Sequence, residues 1–228
     1  MPSNEPKTVH QRAESFPVGA VLALVGGFLD AYTYVSRGGV FANAQTGNMV
    51  LLGLRLADGR WNDALYYLLP IFAFAAGVLL AEWVRAALRQ ARVFHWRQAV
   101  LLLELALLFG IGFVPNGALN PYVNVTVSFV CALQVESFRT LHGLAYATTM
   151  CTGNLRSGTE LLFRYLKSRE RALLKNSLKY YGIILVFIAG AVFGMFATGV
   201  LSERAVWIPA ALLLAVFILL HRREPEAF

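Results

Sequence analysis

Charge is scarce in this chain: only 14% of its 228 residues are Asp, Glu, Lys or Arg, against about 25% in soluble domains. That shortage argues against an ordinary water-soluble fold. Cysteine is scarcer, with Cys131 and Cys151 alone, both inside apolar segments. This excludes a disulfide framework, and no metal-ligand spacing surrounds them; both read as small buried packing residues. No HExxH-type motif and no Ser/His or Cys/His pairing at recognisable spacing occurs, so no enzyme activity, metal or cofactor is expected. Cys151 beside Thr152 and His142 is the one imaginable nucleophile arrangement, and a thiol among apolar neighbours is usually inert.

What is abundant is apolar sequence, 57% of the chain, with a positive mean hydropathy. Apolar runs recur at 18–29, 65–81, 99–114, 122–135, 182–201 and 205–220. Extended through their flanks, they approach the ~20 residues of a membrane span. The expected fold class is an all-α polytopic membrane protein. The polar N-terminus carries Lys7 and Arg12. No small-residue cleavage signature follows the first apolar run, which is therefore expected to be a retained helix and not a signal peptide. The net charge of +7 does not imply nucleic acid, because Lys and Arg cluster in short connections and no basic domain stands apart.

Two stretches break the pattern, "FANAQTGNMVLL" at 41–52 and "YATTMCTGNLRS" at 146–157. If both crossed, the basic connection holding Arg85, Arg89, Arg92 and Arg97 would lie opposite the one from Arg164 to Lys179. If each returns to its own side, every strongly basic connection, including Arg222 and Arg223, falls on the cytoplasmic side. The uncharged 115–121 and the balanced 55–63 then lie outside. The expectation is six transmembrane helices plus two re-entrant half-helix segments, with both termini cytoplasmic.

Three crossings per half turn the second half upside down, so a 3+3 inverted repeat is expected. Its parts are a tail 1–15, a first repeat 16–114, a second repeat 121–221 and a tail 222–228. Asp30 to Asn48 spans eighteen residues, as does Glu136 to Asn154 (48 − 30 = 154 − 136). Tyr32 matches Phe138, and Ala76–Val78 aligns loosely with Ala189–Ala191.

Within hydrocarbon, irregular backbone must be covered by protein or face a watery cavity. Thr46 and Thr152 are expected helix N-caps, Gly47 and Gly153 allow close approach, and Asn48 and Asn154 carry donors and an acceptor. Two helix starts meeting at mid-depth would present free N–H groups to a solute. The plainer alternative is that Thr-Gly-Asn makes a tight helix–helix contact.

Asp30 and Glu136 are candidate coupling carboxylates, since ionisable groups in spans cost about 2.5–3.5 kcal/mol on insertion scales. Orienting the Thr-Gly-Asn backbone is the other role open to them. Asn43, Gln45, Gln134, Arg139 and Arg156 are secondary candidates. Glu136–Arg139 and Arg156–Glu160 are expected ion pairs; Glu104 is a single buried carboxyl, and His142 an interfacial residue. Trp61, Trp83, Trp96 and Trp207 fall near span ends, as an interfacial belt does.

"GGFLDAYTYVSRGGVFANAQTGNMVLLGL" (26–54) and "ALQVESFRTLHGLAYATTMCTGNLRSG" (132–158) resemble the two signature stretches of the YoaK-like family, bacterial inner-membrane proteins grouped as a domain of unknown function. The resemblance covers nearly the full chain and implies a multi-pass membrane protein, with no activity to carry over. Asp30, Thr46, Gly47, Asn48, Gln134, Thr152 and Gly153 sit at signature-like positions. Glu136 stands where the resemblance implies Asn or a similar polar residue.

The leading expectation is a small-solute or ion transporter or channel, with solute between residues 46–48 and 152–154. The alternatives are a membrane scaffold or sensor and, behind it, an intramembrane enzyme. Expected partners are the bilayer and a small polar solute or ion. Small residues such as Ala75, Ala76, Gly77, Gly190 and Gly194 suit helix interfaces within the chain or in a homo-oligomer.

Overall fold

The computed structural model describes residues 13–88 and 95–221. The expected N-terminal tail through residue 12, Arg89 and Arg92, and the tail from residue 222 lie outside the described residues. Among the described residues, eight α-helices carry the fold: α1 Phe16–Ser36, α2 Gln45–Ala57, α3 Trp61–Ala87, α4 Trp96–Ile111, α5 Asn120–Ser137, α6 Cys151–Ser168, α7 Arg171–Leu201 and α8 Trp207–His221. A 3-10 turn, Ser202–Val206, joins the last two. Phe16–Ser36, Trp61–Ala87 and the stretch Arg171–His221 are long and apolar enough to cross a membrane.

All six expected apolar runs lie largely or wholly within helices, and the lengths reflect composition. α3 has 27 residues and α7 has 31, about 40 and 46 Å at 1.5 Å per residue. α2, with 13 residues, reaches only about 20 Å, short of a ~30 Å hydrocarbon layer.

α1 packs chiefly on α7, and α5 on α3; α2 lies along α3, and α6 along α7. α4 faces α8, α5 also touches α4, and α1 touches α8. Both long pairs run parallel. Gly182 meets Phe16 and Gly194 meets Phe28 on α1; on the other side, Tyr66 bonds Asn124 and Gly77 abuts Ala132. Glycine lets these backbones approach. A methyl group at Gly27 would strike the Phe187 carbonyl, one at Gly190 the Leu24 carbonyl, and one at Gly77 would lie 2.7 Å from Phe129 O. Gly77, Gly190 and Gly194 are therefore used inside the chain.

Polar staples mark the two ends. At the first, the fully buried Arg37 donates to Tyr32 Oη at 2.6 and 2.9 Å, to Val114 O at 2.9 Å and to Asn120 Oδ1 at 3.3 Å. This joins the end of α1 to the end of α4 and the start of α5. At the second, Arg97 donates to Ser137 O at 2.8 Å, Gln98 pairs with His221 at 3.3 Å, and His142 N–H donates to Glu14 O at 2.8 Å.

The chain leaves α1 at Arg37 and enters α3 near Tyr66, which sits beside Gly38; the 37–60 segment therefore starts and finishes at the first end. Residues 138–170 likewise leave and return at the second. The way back inward there starts with a two-residue hairpin, β1 Thr140–Leu141 against β2 Leu144–Ala145. His142 (φ 48°) and Gly143 (φ 77°) supply the paired positive φ that such a turn requires.

A polar centre between two helix starts

Residues 37–44 and 138–150 return to the middle of the bundle and meet at Gly26. The Gly26 carbonyl accepts from Asn43 Nδ2 at 3.2 Å, and a Cβ at Gly26 would lie 2.8 Å from Thr149 Cγ2 and 2.9 Å from Thr148 O. Asp30 accepts from Asn43 N–H at 3.2 Å, and Ser128 Oγ donates to Ala42 O at 2.5 Å. On the second loop, Gln134 Nε2 donates to Thr148 Oγ1 at 2.8 Å and to Leu22 O at 3.2 Å, while Cys131 Sγ pairs with Thr149 Oγ1 at 3.2 Å. Irregular backbone at this depth is thus bonded by neighbouring helices, as burial requires.

Both helices beyond the loops start two residues earlier than expected, at Gln45 and Cys151, with Ala44 and Met150 in the cap positions. Thr46 and Thr152 sit inside the first turn and are not N-caps. The physical reason lies in the preceding turn: Gln45 N–H bonds Asn43 O at 3.1 Å, closing the turn before Thr46 is reached. Neither start has a side-chain cap, so first-turn N–H groups are left for another partner.

The two Asn residues differ. Asn154 clamps Ala147 on both sides, accepting from its N–H at 3.1 Å and donating to its carbonyl at 2.7 Å. Asn48 donates to Gln45 Oε1 at 3.2 Å, and Gln45 Nε2 reaches Ala42 O at 2.9 Å. Gly47 and Gly153 have open space where a Cβ would stand. The tight-contact explanation of Thr-Gly-Asn does not hold for this chain.

One cavity of about 770 Å³ is lined from both segments, by Asn43, Gln45 and Thr46 on one side and Thr152, Gly153, Asn154 and Arg156 on the other. Ile71, Phe74 and Met150 supply apolar walls, and none of the described Asp or Glu residues lines it. Asp30 stands behind the Asn43 backbone, outside the lining.

Glu136 is elsewhere. It pairs with Arg139 at 3.0 Å, beside a space of about 170 Å³ at the second end that Glu14, Arg85, Trp96 and Arg97 also line. The matched sequence interval did not place the two carboxylates alike, because Asp30 faces a returning loop while Glu136 ends its helix among arginines. The expected Arg156–Glu160 pair is absent among the described residues, and Arg156 turns to the cavity instead. Gln134 is buried and anchors the second loop.

Sequence reasoning missed Gly26, Ser128, the Thr148–Thr149 pair and Arg37. The Gly26–Gly27 doublet was the available signal for the first of these.

The outer faces of α3 and α7 carry exposed apolar side chains, among them Leu79 (71% exposed), Phe196 (69%) and Val200 (83%). In water such a surface would aggregate; in hydrocarbon it is solvated. An apolar exterior around inward-turned polar groups defines an all-α membrane protein. The chain belongs to the family described as "Protein of unknown function (DUF1275)", matched over residues 18–219. It is similar to the UPF0700 transmembrane protein YoaK of Bacillus subtilis (strain 168), 25% identical over 211 residues, covering 87% of this chain and 91% of that relative. No solved structure matches.

Proposed function

We propose that this protein is a small-solute transporter or channel of a bacterial inner membrane, built as a 3+3 inverted repeat with six crossings and two re-entrant half-helices. The observation that carries this reading is the single cavity reached by both Thr-Gly-Asn helix starts. Helix pairing supports the repeat: exchanging each helix with the one four later turns α1·α7 into α5·α3, α2·α3 into α6·α7, and α4·α5 into α8·α1. The 37–60 and 138–170 segments, each returning to its own end, support re-entry. The cations at the second end favour a cytoplasmic placement for it, with both termini on that side.

The lining favours a neutral polar or anionic solute. Two uncapped helix starts each contribute about half a positive charge, Arg156 adds a full one, and no carboxylate of the described residues faces in. The apolar walls would take the remainder of a small organic solute. Asp30 positions the Asn43 backbone, and Glu136 serves the second end. No observation favours an enzyme or scaffold over transport.

The test is cysteine accessibility in sealed membranes, with Cys131 and Cys151 removed and single cysteines placed at Thr46, Thr152, Asp58, Arg169 and Phe196. A water-borne thiol reagent should modify positions 46 and 152, and positions 58 and 169 from opposite faces, but not 196. Protection at both 46 and 152, or labelling of 58 and 169 from one face, overturns the pathway.

A further inference from the structure

The second end carries more cations than its carboxylates neutralise, and they divide into two kinds. Arg85 bonds Glu82 at 3.0 Å, Arg139 bonds Glu136 at 3.0 Å, and Arg97 holds Ser137 O at 2.8 Å beside Glu14. These side chains hold the bundle together. Arg171, Lys175 and Lys179 are different: among the described residues none of the three forms an ion pair, and the single bond they make is Lys179 Nζ to Asn176 Oδ1 at 3.1 Å.

Their spacing of four puts them along one face of the first turns of α7, over about 12 Å. That face borders a groove of about 500 Å³ whose other walls are Phe16, Tyr165, Leu174 and Leu178. The Phe16 ring rests against Gly182, 3.2 Å from where a Cβ would stand, so the start of α1 closes one side. Leu178 is 58% exposed.

Depth decides what reaches such a groove. From Gly182 to Leu201 α7 has no charged residue, and those twenty residues fill a hydrocarbon layer of about 30 Å. The eleven residues of α7 before it extend about 16 Å further, level with lipid headgroups. The groove therefore presents three cations without an ion pair among the described residues at headgroup depth, with Leu178 between them, and reaches the edge of the hydrocarbon layer where Phe16 packs on Gly182.

We propose that this groove, between the start of α7, the end of α6 and Phe16, is a binding site for an anionic glycerophospholipid. Its phosphate would lie against Arg171, Lys175 and Lys179 and an acyl chain against Phe16, Tyr165 and Leu178. The site depends on the membrane character of the chain and not on the transport reading.

The test uses the purified full chain in a neutral detergent, followed by thermal melting and by native mass spectrometry. Dioleoyl phosphatidylglycerol, dioleoyl phosphatidylcholine and glycerol 3-phosphate are added separately. Phosphatidylglycerol should raise Tm and stay bound as a discrete adduct, while the other two should not. The triple variant R171Q/K175Q/K179Q should weaken that binding on the order of a hundredfold. The variant R164Q/K167Q/R169Q, which removes the same charge outside the groove lining, should keep it. L178E reads the apolar wall separately and should also lose the adduct if the triple variant does not fold. Equal loss in the two triple variants would mean diffuse charge attraction and overturn the site. Retention by phosphatidylcholine, or a shift by glycerol 3-phosphate alone, would overturn the assignment to an anionic lipid.

Discussion

Asn48 and Asn154 hold the same place in two copies of one motif, yet replacing each by Ala should have unequal effects. Asn154 makes two hydrogen bonds to Ala147, at 3.1 and 2.7 Å, and is 2% exposed. Its removal strands a buried donor and acceptor on the backbone. With each lost bond worth about 1 kcal/mol net and more where the partner stays dry, Asn154→Ala should destabilise by about 2–4 kcal/mol. Asn48 donates once, at 3.2 Å, to the side chain of Gln45, which can turn to another partner; Asn48→Ala should cost about 1 kcal/mol or less. At roughly 2–4 °C per kcal/mol for a chain of this size, Asn154→Ala should lower Tm by about 4–16 °C. Thermal unfolding of both variants in one detergent, followed by circular dichroism, measures the difference. Equal shifts, or an unaltered Asn154→Ala, would refute the claim that the second loop is clamped where the first is not.

Gly190→Ala puts a methyl group against the Leu24 carbonyl, whereas Gly199→Ala meets open space. Backbone cannot yield as a side chain does, so the first should lose about 1–3 kcal/mol or more in a melt and the second should not fall. Arg37→Lys keeps the charge but gives up the planar fork that reaches Tyr32, Val114 and Asn120 at once; a loss of about 2–4 kcal/mol is expected, readable as a lower midpoint of thermal unfolding. Glu104 is fully buried, and neither carboxyl oxygen has a hydrogen-bond partner among the described residues. Glu104→Leu should therefore melt at or above the wild-type temperature, since it removes polar atoms that burial penalises by about 1–3 kcal/mol; a large fall would show that the carboxyl supports the core.

The helices were readable because a membrane-spanning helix is written locally. Twenty apolar residues need no distant partner to declare themselves, and 18–29, 65–81 and 182–201 lie within the helices the structure forms. The two Thr-Gly-Asn stretches were legible as breaks in the apolar pattern, and each lies at the start of a helix. The pairing Glu136–Arg139 followed from helix spacing alone.

What the sequence could not assign was which groups the returning loops would meet. Gly26 receives Asn43 from one loop and Thr148 and Thr149 from the other, across more than a hundred residues of chain. That meeting exists because parallel helix pairs cross closely at Gly27, Gly77 and Gly190. The same cause separates Asp30 from Glu136: equal intervals along the chain place two carboxyls alike only where their neighbours are also alike. Hydropathy and spacing are properties of one segment, so the amino-acid sequence determined the number, length and polarity of the segments. Close approach is a property of two, and tertiary packing alone decided that the Thr-Gly-Asn starts share one cavity, that Asn154 is clamped, and that Arg171, Lys175 and Lys179 form no ion pair among the described residues.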